Sequence, residues 1–338
     1  MRRPRLTTAA ALVAPTLTVL IVAGALALAA CGNKAPTTTG SSSPTSAAAV
    51  ATTESGTPLP TATGPGTIAF IRVSGSGSDV YTIRTDGTGL KQLTNTPENE
   101  NMASWSPDGK KIAFVRWLGK KAGGYAGVYD FTRATVWVMN ADGSHQQRLT
   151  RPQVKGAYGP AWSPDGRRIL LDKWEGNYNW NLAVMNADGS GLTKLTDDPA
   201  PRIMTSWAPD GRIFFNDGPG MIYSMNADGS GLKPITYAPG YYSVSPDGKW
   251  LAISDHDVGQ LLLAQANGRG EKKPLMDLSR YVPDAIVATS WSPDGSAIAL
   301  AAAFDGKGPS ALYILRTDGS VRKVPNTGRV LNPAWRPQ

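Results

Sequence analysis

Three features of the sequence predict an all-β fold: a six-bladed β-propeller of four-stranded antiparallel blades. The phrase Trp-Ser-Pro-Asp-Gly recurs at Trp105, Trp162 and Trp291, with variants at Trp207 (WAPDG) and Val244 (VSPDG). Each occurrence leads into a short apolar strand, then a second strand and a turn such as VWVMNADG, LAVMNADG or IYSMNADG. Finally, the closing NPAWRPQ (Asn332 to Gln338) opens a unit without finishing it, while TIAFIR (Thr67 to Arg72) continues a unit that lacks its opening. Joined, the two fragments make a sixth unit. The C-terminal strand is therefore expected to pair with the N-terminal blade and close the ring, which removes exposed sheet edges.

Residues 1–30 read as a leader rather than as part of the fold. Arg2, Arg3 and Arg5 precede a run of mostly Ala, Leu and Val from Ala9 to Ala30, the order of an export signal. A membrane-spanning helix is the competing reading of that run. Leu28-Ala29-Ala30-Cys31 resembles the bacterial lipobox, which implies acylation of Cys31, the single cysteine, and a membrane anchor through its lipid. Residues 31–65 are nearly all Thr, Ser, Ala, Pro and Gly, a composition that buries too little apolar surface to fold and so predicts a flexible tether. The propeller is assigned to residues 66–338. The net charge of +8 falls to +5 without the leader arginines, which gives no sign of nucleic-acid binding.

Within each unit the turns carry their own chemistry. Proline presets φ near −65° and glycine accepts positive φ, so Ser-Pro-Asp-Gly and Asn-Ala-Asp-Gly both read as hairpin connections. Unit starts lie 37 to 57 residues apart, the length of one four-stranded blade. Trp105, Trp162, Trp207, Trp291 and Trp335 share one repeat position, with Val244 as the sixth. They are expected to act as wedges between blades.

These WSPDG and NADG repeats resemble the TolB-type propeller, a WD40-like repeat family. The resemblance covers about Gly66 to Gln338 and implies the fold together with a binding platform for varied partners. TolB carries a further N-terminal domain for which this chain has only the tether, so a role in the Tol system is not implied.

Catalytic signatures are scarce. Zincin, nucleophile-elbow and phosphate-loop motifs are absent, and the two histidines are His145 and His256. The NADG turns lack the later acid that a calcium loop needs. Asp255-His256-Asp257 is the nearest approach to a metal cluster, but adjacent strand residues point to opposite sides. No metal or cofactor is assigned.

In a propeller the short, uniform turns share one face, and the variable connections share the other, where binding usually resides. Trp117, Tyr125, Tyr129, Phe131, Trp174, Tyr178 and Trp180 fall in blade-internal segments near that face. Tyr158, Tyr237, Tyr241, Tyr242 and Tyr281 fall in inter-blade segments. They read either as an exposed recognition surface or as packing under the long second-blade loop. Counted from the first apolar residue of each second strand, the fifth position is Arg72, Arg116, Lys173, Asp217, Asp255 and Ala302. That series suggests a mouth basic on one side and acidic on the other, or else ordinary cross-strand pairing.

The sequence therefore points to an exported, lipid-anchored, non-enzymatic platform. It would bind an envelope protein, peptide or glycan through Arg72, Arg116, Trp117, Tyr125, Tyr158, Lys173, Trp174, Tyr178, Trp180, Asp217, Tyr242, Asp255 and His256. The alternatives are a polysaccharide lyase or hydrolase using Asp172, Asp217, Asp255 and Asp257 as acid and base, and a passive spacer.

Overall fold

The computed structural model describes residues 66–338, apart from 76, 119–129, 178, 256, 279–287, 303–309 and 317. Within them lie six antiparallel sheets of four strands each. Blade 1 contains Arg329–Trp335, Thr67–Ser74, Gly77–Arg84 and Lys91–Gln92, in that spatial order from the inside outward. The C-terminal strand thus pairs with the first strand and closes the ring, Ile68 opposite Trp335 and Arg72 opposite Val330. Blades 2 to 6 have inner strands Asn99–Trp105, Ala157–Trp162, Ile203–Trp207, Tyr242–Val244 and Ala288–Trp291. Each inner strand neighbours the inner strands of the blades before and after it, around a central channel.

The core is divided among the seams. Six apolar clusters each join two successive blades. Each repeat-position residue sits in the seam to the preceding blade: Trp105 with Ala69 and Ile71 of blade 1, Trp162 with Ala113 and Val136 of blade 2, Trp207 with Leu170 of blade 3. Trp291, Trp335 and Val244 do the same at the other three seams. Trp105 Nε1 also donates to the Ala334 carbonyl at 3.1 Å, and Trp291 Nε1 to that of Ser243 at 3.2 Å. The wedge reading of these residues holds.

The turns close as their residue types require. Ser106 Oγ donates to Asp108 Oδ1 at 2.7 Å and accepts the Lys111 N–H, while Gly109 takes φ +63°. In the NADG turns the aspartate accepts from the following serine, as Asp142 does from Ser144. The carboxylate is thus spent on the hairpin itself. Glycine is required there for a second reason: a Cβ on Gly189 would lie 2.5 Å from the Leu149 carbonyl oxygen of the preceding blade.

Candidate functional site

Inner strands run from the variable face toward the Pro-Asp-Gly face, so their first halves line the variable end of the channel. A cavity of about 290 Å³ opens there, walled by residues of blades 2 to 5, with Asn332 and Thr289 on the remaining side. Its outline is set by a recurring irregularity. Three residues before the repeat tryptophan, Met102, Gly159, Met204 and Asn332 adopt φ of +50°, +55°, +57° and +45°. The strand register slips at the same places, between Asn101 and Ser104, Tyr158 and Ala161, and Ile203 and Ser206. These are β-bulges, devices that bend a strand and re-aim its side chains beside functional sites. Methionine in the left-handed region is a strained choice, held only where the surroundings over-determine it.

At Met204 those surroundings are two side chains from neighbouring blades. Asp172 Oδ2, from blade 3, accepts the Met204 N–H at 3.0 Å. The Tyr242 hydroxyl, from blade 5, donates to the Met204 carbonyl at 2.7 Å. The strained Met204 of blade 4 is therefore held at both of its backbone polar groups.

Asp172 belongs to the second strand of its blade, yet its carboxyl reaches the cavity because Gly159 stands in front of it with no side chain. A Cβ there would lie 3.0 Å from Asp172 Oδ2. The residue is 2% exposed and its Oδ1 has no hydrogen-bond partner among the described residues. Burial pushes its pKa up to about 7, against the opposing pull of hydrogen bonds from Thr205 and Met204. Burial, then the nearby Asp172 carboxylate, also raises the Tyr242 phenol well above its ordinary value.

The aromatics of blades 2 and 3 pack on one another rather than standing exposed. Phe131 meets Trp180 edge-on at 4.9 Å between centroids, Trp174 lies 5.0 Å from Trp180, and Trp117 meets Tyr158 at 5.4 Å. Trp117, Tyr158 and Trp180 are buried, and Trp174 is half-buried. This corrects the exposed-surface reading: apolar rings on adjacent loops gain more by covering each other than by facing water. The cluster still serves the cavity, because Phe131, Tyr158 and Trp180 form part of its wall, joined by Tyr241 and Tyr242. Tyr237 is exposed and lies outside the cavity lining. Tyr125, Tyr129, Tyr178, His256, Tyr281 and Cys31 lie outside the described residues.

The polarised mouth is also corrected. Arg72, Arg116, Lys173, Asp217 and Asp255 are absent from the cavity lining, as are the remaining acids of the enzymatic alternative apart from Asp172. They sit on the second strands or in the turns that follow, and neighbours claim them. Arg116 donates to Glu100 at 2.7 Å on the paired inner strand, with both side chains buried, and lies 4.3 Å from the Trp137 ring centroid. Lys173 meets Glu175, and Lys272 reaches Asp255 at 3.2 Å. Asp217 accepts the Gly220 and Met221 N–H groups of its own turn, and Arg72 covers the Tyr81 ring. Cross-strand and turn pairing thus accounts for this series.

The gripped bulge escaped sequence reasoning, although a signal existed. At the fourth position of the second strands, Ile71, Val115 and Ala301 are apolar, whereas Asp172, Asn216 and Ser254 are polar and equally buried. Asp172 is the one acid in that series.

A family model described as the TolB beta propeller domain matches residues 125–338. The Tol-Pal system protein TolB of Anaeromyxobacter dehalogenans is 32% identical over 142 residues, 41% of this chain and 29% of the relative. An uncharacterized peptidase, YuxL of Bacillus subtilis, is 25% identical over 190 residues, 52% of this chain and 25% of its own length. The matched segments thus span less than a third of either relative. Among solved structures, TolB from Acinetobacter baumannii superposes with a TM-score of 0.64 at 21% identity, over 81% of this chain and 67% of that one. Repeat, ring and family model agree, and the chain belongs to the TolB β-propeller domain family.

Proposed function

We propose that the chain is an exported, lipid-anchored binding platform without catalytic activity of its own. It seats part of an envelope protein, peptide or glycan in the variable end of its channel. The observation that carries this reading is the cavity of about 290 Å³ walled by aromatic rings and framed by strained bulges, the kind of preformed, mostly apolar concavity that ligands occupy. Kinship with a protein named for the Tol-Pal system supports a partner.

The enzymatic alternative has a relative to lean on, since an uncharacterized peptidase is 25% identical over 190 residues. It asks for two carboxyl groups facing one space. Among the described residues lining the cavity, Asp172 supplies one. The binding reading needs no second acid.

The test is cross-linked capture from the organism's own envelope, comparing the parent chain with Thr289→Trp, which fills the cavity from blade 6. The reading expects a defined partner recovered with the parent and lost with the variant, at unchanged melting temperature. Equal recovery by both would remove the channel from the binding site.

A further inference from the structure

We infer, building on the reading above, that the channel mouth accepts a cationic side chain of a peptide, lysine or arginine, which pairs with the Asp172 carboxylate. Four observations lead there. The Asp172 carboxyl lines the cavity while almost fully buried, and one of its oxygens has no partner among the described residues. No Lys, Arg or His stands among the described lining residues, so the carboxyl has no resident counter-ion. A buried carboxylate left in that condition is unfavourable and is relieved by an arriving cation. The wall beside it is aromatic, Phe131, Tyr158, Trp180 and Tyr242 among its members. Ring faces attract ammonium and guanidinium groups and also cover the aliphatic stem that carries them.

The fourth observation favours a peptide over an amino sugar. Trp180, 2% exposed, has an indole N–H without a partner among the described residues. That is a donor for an acceptor such as a peptide carbonyl near the inserted side chain. An amino sugar lacks the apolar stem that the ring wall would cover.

A cation binds the ionised form of Asp172, so pH should govern affinity. The titratable groups facing Asp172 are the Tyr158, Tyr241 and Tyr242 phenols. The strand Asn179–Asn186 beside it presents Leu182 across the ladder, and blade 4 presents Met204 and Thr205; none of these is charged. Asp172 itself is then the group that titrates. Affinity should fall about tenfold for each pH unit below about 7 and be flat above it.

The experiment follows the indole N–H resonances of the full chain as N-acetyl-lysine methylamide is added. Parallel titrations use the Nε-acetylated lysine derivative, which keeps the stem and removes the charge, and glucosamine. The expected result is binding of the lysine derivative with the pH profile above. The uncharged derivative and glucosamine should bind at least tenfold more weakly, and Asp172→Asn should lose about tenfold or more. Four results would each overturn the inference: no shift with the lysine derivative, equal binding of its uncharged counterpart, equal binding of glucosamine, or an affinity independent of pH in the parent. The last needs no variant, so a poorly folding Asp172→Asn does not protect the inference. If the inference fails while Thr289→Trp still abolishes envelope capture, the binding reading stands without it. If capture is also unaffected, both fall.

Discussion

Replacing Asp172 by asparagine should make the protein more stable at alkaline pH and leave it nearly unchanged in acid. The folded state holds the Asp172 proton more tightly than the unfolded state does, because burial raises the carboxyl from its ordinary 3.8 to about 7. A group with a raised folded pKa binds more protons in the folded state across that interval, so its presence lowers stability as pH climbs through it. Below 3.8 both states are protonated and the residue is neutral in effect; above about 7 the full penalty applies and no longer changes. Raising the carboxyl from 3.8 to about 7 corresponds to about 4 kcal/mol, an upper figure because water entry and relaxation soften the burial of a charge. Asparagine keeps an oxygen to accept the Met204 N–H and carries no charge at any pH. Denaturant unfolding of parent and variant at about pH 4 and about pH 8.5 isolates the contribution of Asp172, since every other titrating group cancels in the difference. The variant should gain a few kcal/mol between the two conditions. Parallel profiles, with the same offset at both, would show that Asp172 is ionised throughout and refute the reasoning.

Other perturbations probe the frame. Tyr242→Phe removes the hydroxyl that donates to the Met204 carbonyl and should cost about 1–3 kcal/mol in denaturant unfolding if that carbonyl is left dry. Trp105→Ala empties the seam between blades 1 and 2 and should cost about 3–5 kcal/mol, read as a lowered unfolding midpoint. Arg116→Ala strands the buried Glu100 carboxylate and should cost about 3–5 kcal/mol, whereas exchanging both partners for apolar residues of similar volume should restore much of it. A double-mutant cycle on that pair separates the two outcomes.

The ring was legible in the sequence because it is written six times. Turn residues with fixed φ demands, period-two apolar strands and a tryptophan at one phase all repeat, and each repeat confirms the others. The split unit showed where the ring closes, and Val244 was rightly placed with the tryptophans although it shares no chemistry with them. The site was legible only in part. Tyr158, Trp180 and Tyr242 were placed on the variable face and line the cavity there, yet their burial was open, since a sequence cannot say which rings on adjacent loops cover each other. The charge series misled because a strand end reads identically whether its side chain faces the channel or the neighbouring strand. The bulges were invisible for a different reason: Met102 and Met204 are residues whose propensities argue against positive φ. Tertiary contacts impose that conformation, Asp172 and Tyr242 in the case of Met204.

The two ends of the channel show how such a fold divides its tasks. At the Pro-Asp-Gly end a cavity of about 560 Å³ is lined by repeat residues, among them Trp105, Trp162 and Trp207 with Pro107, Pro164 and Pro209. Nearly the same set is contributed by every blade, so that end is close to six-fold symmetric and offers no single direction to a ligand. At the variable end the repeat is broken unequally. Blade 3 supplies an acid and a glycine window, blade 4 a strained methionine, blade 5 a phenol, and blades 2 and 3 a wall of rings. Each of these departs from what the repeat alone would choose, and local choices that contradict the fold's own pattern are where function is expected to lie. The seams let the exceptions persist: six apolar clusters hold the blades rigidly enough that a buried acid and several strained bulge residues are tolerated at the mouth. Asymmetry laid over a symmetric scaffold is what turns a ring into a site with one orientation for its occupant.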